Sequence, residues 1–200
     1  MTTDTAARPD RMKWIGSNLA LGLLVTVMSV FTAVANYATY VVSGTASNYE
    51  TEGNRLLADS NTSYISASQF IIVDYAMYDT YYTNLGINDD ISNYYEPLFS
   101  DSLKASLDRA TPFDDQYYTE MYQSSKDQFD EAFAKFELAS AAAERESGYQ
   151  LAMLVAAVGL AFAAYASLLD EANRLRRVFA LMSLFMMVLS IGQFALASGG

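Results

Sequence analysis

The residues best suited to chemistry in this sequence are paired carboxylates. Asp89 and Asp90, and again Asp114 and Asp115, supply oxygen donors of the kind that calcium prefers. The first pair lies in a stretch with the alternating donors of a calcium loop. That stretch lacks the glycine of such loops, and Phe99 stands where a bidentate glutamate is needed. We therefore interpret these acids as turn and helix-cap residues on a solvated surface, and expect no metal and no other cofactor.

Catalysis by side chains is not expected. The 200 residues include no cysteine and no histidine, which excludes disulfides, thiolate zinc sites, a cysteine nucleophile and a histidine general base. Two carboxylates could still meet in the folded chain, but no pair stands out among the 19 acidic residues between positions 43 and 148. We predict that the protein is not an enzyme.

Tyrosine doublets at positions 81–82, 94–95 and 117–118 offer flat rings that could stack on sugars or nucleobases. The segment that carries them, residues 43–148, has 19 acidic and 6 basic residues and a net charge of −13. That charge repels phosphates, so no nucleic acid partner is expected. The alternative, which we favour, is that these amphipathic rings pack on half-buried helical faces.

Three uncharged apolar runs determine the predicted fold class. They cover residues 19–42, 149–169 and 178–198, and each reaches the ~20 residues that a helix needs to cross a bilayer. The first run is longer than the apolar core of a cleaved signal peptide, which favours an uncleaved signal anchor. The sequence thus predicts an all-α integral membrane protein with three transmembrane helices and the lipid bilayer as one partner.

The distribution of basic residues predicts the orientation. Residues 1–18 contain Arg8, Arg11 and Lys13, and the connector 170–177 contains three arginines. Short segments rich in arginine and lysine stay in the cytoplasm. We therefore expect a multi-pass protein of the plasma membrane, with both short segments cytoplasmic. Residues 43–148 and the C-terminus then lie on the extracytoplasmic side.

Helical periodicity runs through the long acidic segment, which holds 11 of the 15 tyrosines. Its apolar residues recur at steps of three, four or seven and predict two antiparallel helices, with Gly86 ending the first and Thr111 capping the second. The resulting stripe gives these candidate interface residues: Tyr64, Ile71, Tyr75, Tyr78, Tyr82, Tyr118, Phe129, Phe133 and Phe136.

Two arrangements of this segment remain open. In one, the stripe of a helical hairpin is half exposed and docks a partner or another copy. In the other, residues 91–110, with a short helix near Pro97, pack on the stripe and complete a small bundle.

Small and weakly polar residues form a stripe on each of the first two spans. Such stripes let membrane helices approach closely and form hydrogen bonds. We expect the two stripes to face each other. Their members are Gly22, Ser29 and Asn36 on the first span, and Ala152, Ala156, Gly159 and Ala163 on the second.

The order of anchor span, helical outer segment and closing two-span hairpin resembles a family of uncharacterised bacterial triple-span membrane proteins. The resemblance is carried locally by residues 31–36, Phe-Thr-Ala-Val-Ala-Asn, and residues 149–152, Tyr-Gln-Leu-Ala. The tryptophan and Gln-Ala-Lys segment of that family is replaced here by residues 61–68. The resemblance implies a layout and no catalytic residues.

Three functions fit this layout. The leading interpretation is an accessory or scaffolding subunit, in a homo-oligomer or a larger membrane complex, that docks partners through its outer hairpin. The second is an extracytoplasmic sensor or binding module, which would need a partner because the cytoplasmic connector has only eight residues. The third is a small channel, which the absence of ionisable residues from the spans disfavours.

Overall fold

The computed structural model describes Trp14, residues 17–171 and residues 173–199. Most of the predicted cytoplasmic segment 1–18, with Arg8, Arg11 and Lys13, lies outside these residues. The described chain contains helices and no strands, which confirms the all-α class. The α-helices are α1 (Asn18–Asn84), α2 (Asp89–Tyr95), α3 (Asp101–Asp108), α4 (Asp115–Leu168) and α5 (Arg174–Gly199), with a 3₁₀ helix at Glu96–Leu98.

Helices α1, α4 and α5 each contain a stretch that is long and apolar enough to cross a membrane. The chain divides into two compact units. The apolar unit comprises the residues up to Ser47 and those from Ala139 onward, and the acidic unit comprises Asn48–Leu138. Helices α1 and α4 contribute residues to both units, and α5 belongs to the apolar unit.

In the apolar unit, the small-residue stripe of α4 is buried. Ala152, Ala156 and Ala163 are fully buried, and Gly159 is buried between them. A Cβ atom placed on Gly159 would collide with the Cε atom of Met28 and would lie 2.9 Å from the Cβ atom of Met186. The absence of a side chain at this position therefore lets α1 and α5 approach α4 closely.

The buried stripe of α1 differs from the expected one. Gly22, Ser29 and Asn36 are exposed on the surface of the apolar unit. The positions one residue earlier, Leu21, Met28 and Ala35, are buried instead. The physical reason is complementarity of size, because the long Met28 side chain fills the space above Gly159, which a second small residue would leave empty.

Hydrogen bonds attach α5 to the other helices of the apolar unit. The Ser190 hydroxyl donates to the backbone oxygen of Ala152 at 2.6 Å. At the start of α5, the buried Arg176 donates to the backbone oxygen of Leu169 at 2.7 Å and to the Asn18 side chain. One guanidinium thus links the beginnings of α1 and α5 to the end of α4, where backbone carbonyls lack helical partners.

In the acidic unit, α1 and α4 pair as a helical hairpin, and the segment between them packs against it. The buried core is formed by Ile71 of α1, Phe99 and Leu103 of the intervening segment, and Tyr117 of α4. At this end of the hairpin, the intervening segment therefore packs on the aromatic stripe, as in the second arrangement considered from the sequence. Here α2, the 3₁₀ helix and α3 complete a small bundle.

The turns that bound this bundle are well defined. Gly86 follows α1 with a φ of +74°, a conformation that glycine adopts without steric cost. Helix α4 begins later than expected, because Phe113 has a φ of +56° and interrupts the helical path. The capping side chain is Asp114, whose carboxylate accepts from the Tyr117 amide at 2.8 Å, rather than Thr111.

Candidate functional site

A set of three contacting pairs of aromatic side chains lies on the hairpin of the acidic unit. We call its six rings the aromatic face: Tyr64, Tyr75, Tyr118, Tyr122, Phe129 and Phe133. Tyr64 stacks on Tyr122 with 4.9 Å between ring centroids, and the Tyr75 and Tyr118 hydroxyls share a hydrogen bond. Phe129 and Phe133 lie 4.6 Å apart. Residues of α1 and α4 that are distant in sequence thus form one surface.

Much of this surface is accessible. The exposed fractions are 54% for Tyr64, 43% for Phe129 and 51% for Phe133. A groove of the same surface is lined by Tyr64, Tyr122 and Phe129, together with Ser60, Asn61, Ser125 and Lys126. Large apolar rings that remain accessible and contiguous are typical of an interaction surface.

The other candidate interface residues occupy different environments. Ile71 belongs to the buried core, and Tyr78 packs against that core. Phe136 is half-buried, with its ring less than 3.0 Å from where a Cβ atom of Gly53 would lie. Tyr82 is exposed and stacks on Tyr78 at 6.0 Å. The expected stripe therefore divides into residues in or against the core, members of the aromatic face, and two residues that belong to neither, Tyr82 and Phe136.

A buried carboxylate connects the small bundle of α2, the 3₁₀ helix and α3 to the helical hairpin of α1 and α4. Asp74 of α1 is 3% exposed, and it accepts from the Tyr117 hydroxyl at 2.9 Å and from the Ser100 amide at 3.1 Å. The Ser100 hydroxyl also donates to Asp74 and in turn accepts from the Leu103 amide at 3.1 Å, which caps α3. Asp74 therefore links α1, α3 and α4 to one another through hydrogen bonds.

Tyr117 and Tyr118 have raised pKa values and are protonated at neutral pH. Burial raises the pKa of Tyr117, and its hydrogen bond to Asp74 raises it further. The hydrogen bond with Tyr75 raises the pKa of Tyr118 to about 12. These two hydroxyls therefore act as hydrogen-bond donors and acceptors at neutral pH, and Tyr118 adds no charge to the aromatic face.

An ion pair closes the loop before α4. The Arg109 guanidinium contacts Asp114 through two hydrogen bonds, of 2.5 and 2.8 Å. The hydrogen bond to Arg109 lowers the pKa of Asp114 to about 2, and the Tyr117 amide that Asp114 caps adds to the effect. This bidentate arrangement fixes the start of α4 next to Tyr117 and Tyr118.

We expect this ion pair to make stability depend on pH in the acid range. The pKa of Asp114 is about 2 in the folded chain and about 4 in an unfolded one. Its stabilisation is therefore complete above pH ~4 and is lost as the pH falls toward ~2. Asp114→Asn keeps a capping side chain but removes the charge. Thermal unfolding should show that the Asp114→Asn variant is less stable than the wild type at neutral pH. This difference in stability should vanish at low pH.

Asp115→Asn is the matched control, because Asp115 is the exposed neighbouring acid. A stability difference between Asp114→Asn and the wild type that stayed constant down to pH ~2 would contradict the role given to the ion pair.

Two residues of structural importance were not singled out from the sequence. In the sequence, Asp74 is one acid among many in its segment, and Arg176 is one of three arginines in the connector. Their burial could be found only from the fold. Within the described residues, no group of three or more acidic side chains is arranged to hold a metal ion.

Comparison with known proteins gives no relative: no family model, curated protein or solved structure matches the chain. The resemblance to the triple-span family stays a prediction. The aromatic face and its surroundings are therefore the basis for assigning a function.

Proposed function

We propose that the protein is an accessory or scaffolding subunit of a plasma-membrane assembly and that the aromatic face of its acidic unit docks a partner. The apolar unit anchors the chain in the bilayer through α1, α4 and α5. The acidic unit is extracytoplasmic and presents the docking surface.

One observation carries this proposal. The segment 89–108 packs on the end of the hairpin around Tyr117 and leaves Tyr64, Phe129 and Phe133 accessible. In a soluble unit, such a row of exposed rings is costly in water unless another molecule covers it. The core of the unit is already complete without these rings, so their exposure favours an intermolecular role.

The charge distribution supports the proposed orientation. The connector between α4 and α5 carries Arg174, Arg176 and Arg177, which favour a cytoplasmic position. The acidic unit carries 17 acidic and 5 basic residues, a net charge of −12. Such a segment fits the extracytoplasmic side.

The test is the size of the native assembly. We expect the double substitution Phe129→Ser with Phe133→Ser to remove much of the docking surface without opening the core. After extraction from native membranes in mild detergent, native mass measurement should show a smaller assembly than the wild type gives, with membrane insertion unchanged.

Phe70→Ser is the matched control. Phe70 is 63% exposed and belongs to a different groove of the same hairpin, with Ser66 and Glu120. The control should leave the assembly intact. An unchanged assembly mass in the Phe129 and Phe133 double variant would reject the proposed docking role of the aromatic face.

A further inference from the structure

We infer that the occupant of the aromatic face is a basic segment of a partner protein. Its arginine and lysine side chains pair with carboxylates beside the face, and its apolar residues cover the rings. This inference rests on the proposed function and specifies the chemistry of the partner.

Exposed carboxylates accompany the aromatic face along its length. On α1, Asp79 lies four residues after Tyr75. On α4, Asp115 lies three residues before Tyr118, and Phe133 has acids on both sides at helical spacing, Asp130 and Glu137. Residues three or four apart are neighbours on a helix surface. The four acids are exposed, and among the described residues none of the four forms an ion pair.

Other acids of the hairpin have cationic partners within the chain. Glu52 pairs with Lys135 at 3.1 Å, and Asp59 pairs with Arg55 at the same distance. Beside the aromatic face, water solvates the four exposed carboxylates, which leaves them available to cations of another molecule. Lys126 lines the groove of the face, but a single lysine does not balance the four flanking carboxylates.

Aromatic rings flanked by carboxylates suit arginine in particular. A guanidinium group can stack on a tyrosine or phenylalanine ring while it donates hydrogen bonds to a carboxylate. The acidic unit already contains this chemistry in simpler form, because the Lys135 ammonium group lies 5.9 Å from the Tyr49 ring centroid while it pairs with Glu52.

A second copy of the chain is the less favourable occupant. Two acidic units, each with a net charge of −12, would bring the same unpaired carboxylates together across the interface. Juxtaposed like charges oppose association, whereas a basic segment would neutralise them. Charge complementarity therefore favours a different, basic partner.

The test uses the full chain in detergent micelles and two synthetic amphipathic helical peptides. One peptide carries leucine and arginine, and the other has glutamate in place of each arginine. We expect the arginine peptide to bind and the glutamate peptide to bind at least about tenfold more weakly, as measured by fluorescence anisotropy. Added salt should weaken binding of the arginine peptide.

Substitutions then locate the binding. The double variant Phe129→Ser with Phe133→Ser should bind the arginine peptide about tenfold more weakly than the wild type does. The double variant Asp130→Asn with Glu137→Gln should also bind the arginine peptide more weakly, and this binding should depend less on salt. Phe70→Ser and Asp59→Asn, which change residues outside the aromatic face, should alter affinity by less than about twofold.

Three outcomes would overturn the inference. The first is equal binding of both peptides. The second is an affinity for the arginine peptide that the Phe129 and Phe133 substitutions leave unchanged. The third is a native assembly in which two copies of this chain contact each other through the aromatic face. An assembly that is lost in the phenylalanine variants but unaffected by Asp130→Asn with Glu137→Gln would reject the basic partner while leaving the docking function in place.

Discussion

Asp74→Ala is expected to destabilise the acidic unit by about 3 kcal/mol, because it removes the acceptor at the centre of a buried network. The Tyr117 hydroxyl and the Ser100 amide would lose their acceptor in a region from which water is largely excluded. Equilibrium unfolding of the detergent-solubilised protein, followed by near-ultraviolet circular dichroism of its tyrosines, measures this loss.

Asp79→Ala is the matched control for this prediction. Asp79 lies five residues further along α1, is exposed and forms no ion pair with the described residues. Its removal should change stability by less than about 0.5 kcal/mol. Equal effects of the two substitutions would mean that Asp74 does not hold the bundle together.

Gly159→Leu should disrupt the packing of the apolar unit, with a cost of about 2 kcal/mol or more. The new side chain would occupy the space that holds the end of Met28, and its Cβ atom would press against the Cβ atom of Met186. Met28 is flexible and can move aside, but a Cβ atom moves only with its backbone, so α5 must shift. Denaturation in mixed detergent micelles should show an earlier transition than the wild type.

Gly22→Leu and Gly192→Leu serve as controls in α1 and α5. A Cβ atom at either position meets no atom of another helix within 4 Å, so both variants should insert and remain as stable as the wild type. If Gly22→Leu proved as disruptive as Gly159→Leu, the exposed position of Gly22 in the apolar unit would be contradicted.

The helices and apolar stretches could be predicted from the sequence because their signals are local. Uncharged runs of more than 20 residues and a regular aromatic spacing suffice for three candidate spans and a helical acidic segment. The division of the aromatic stripe could not be predicted in the same way. Ile71 and Tyr75 share the stripe, but the segment 89–108 covers only the first of them, and that depends on tertiary packing.

Side-chain size explains why the buried stripe of α1 differs from the expected one. The small residues Gly22, Ser29 and Asn36 were expected to face α4, on the assumption that small residues pack against small residues. In the structure, Met28 packs against Gly159, so a large side chain of one helix fills the space left by a small residue of the other. A single sequence indicates which stripes exist on a helix but does not select among them.

The double role of the Ser100 hydroxyl has a consequence for local unfolding. This hydroxyl donates to Asp74 and accepts from the first turn of α3, so the contact with α1 orients the side chain that caps that turn. Helices as short as α2 and α3 are not stable alone in water. The end of the hairpin should therefore open and close as one cooperative element, whose amide protons exchange with solvent together rather than helix by helix.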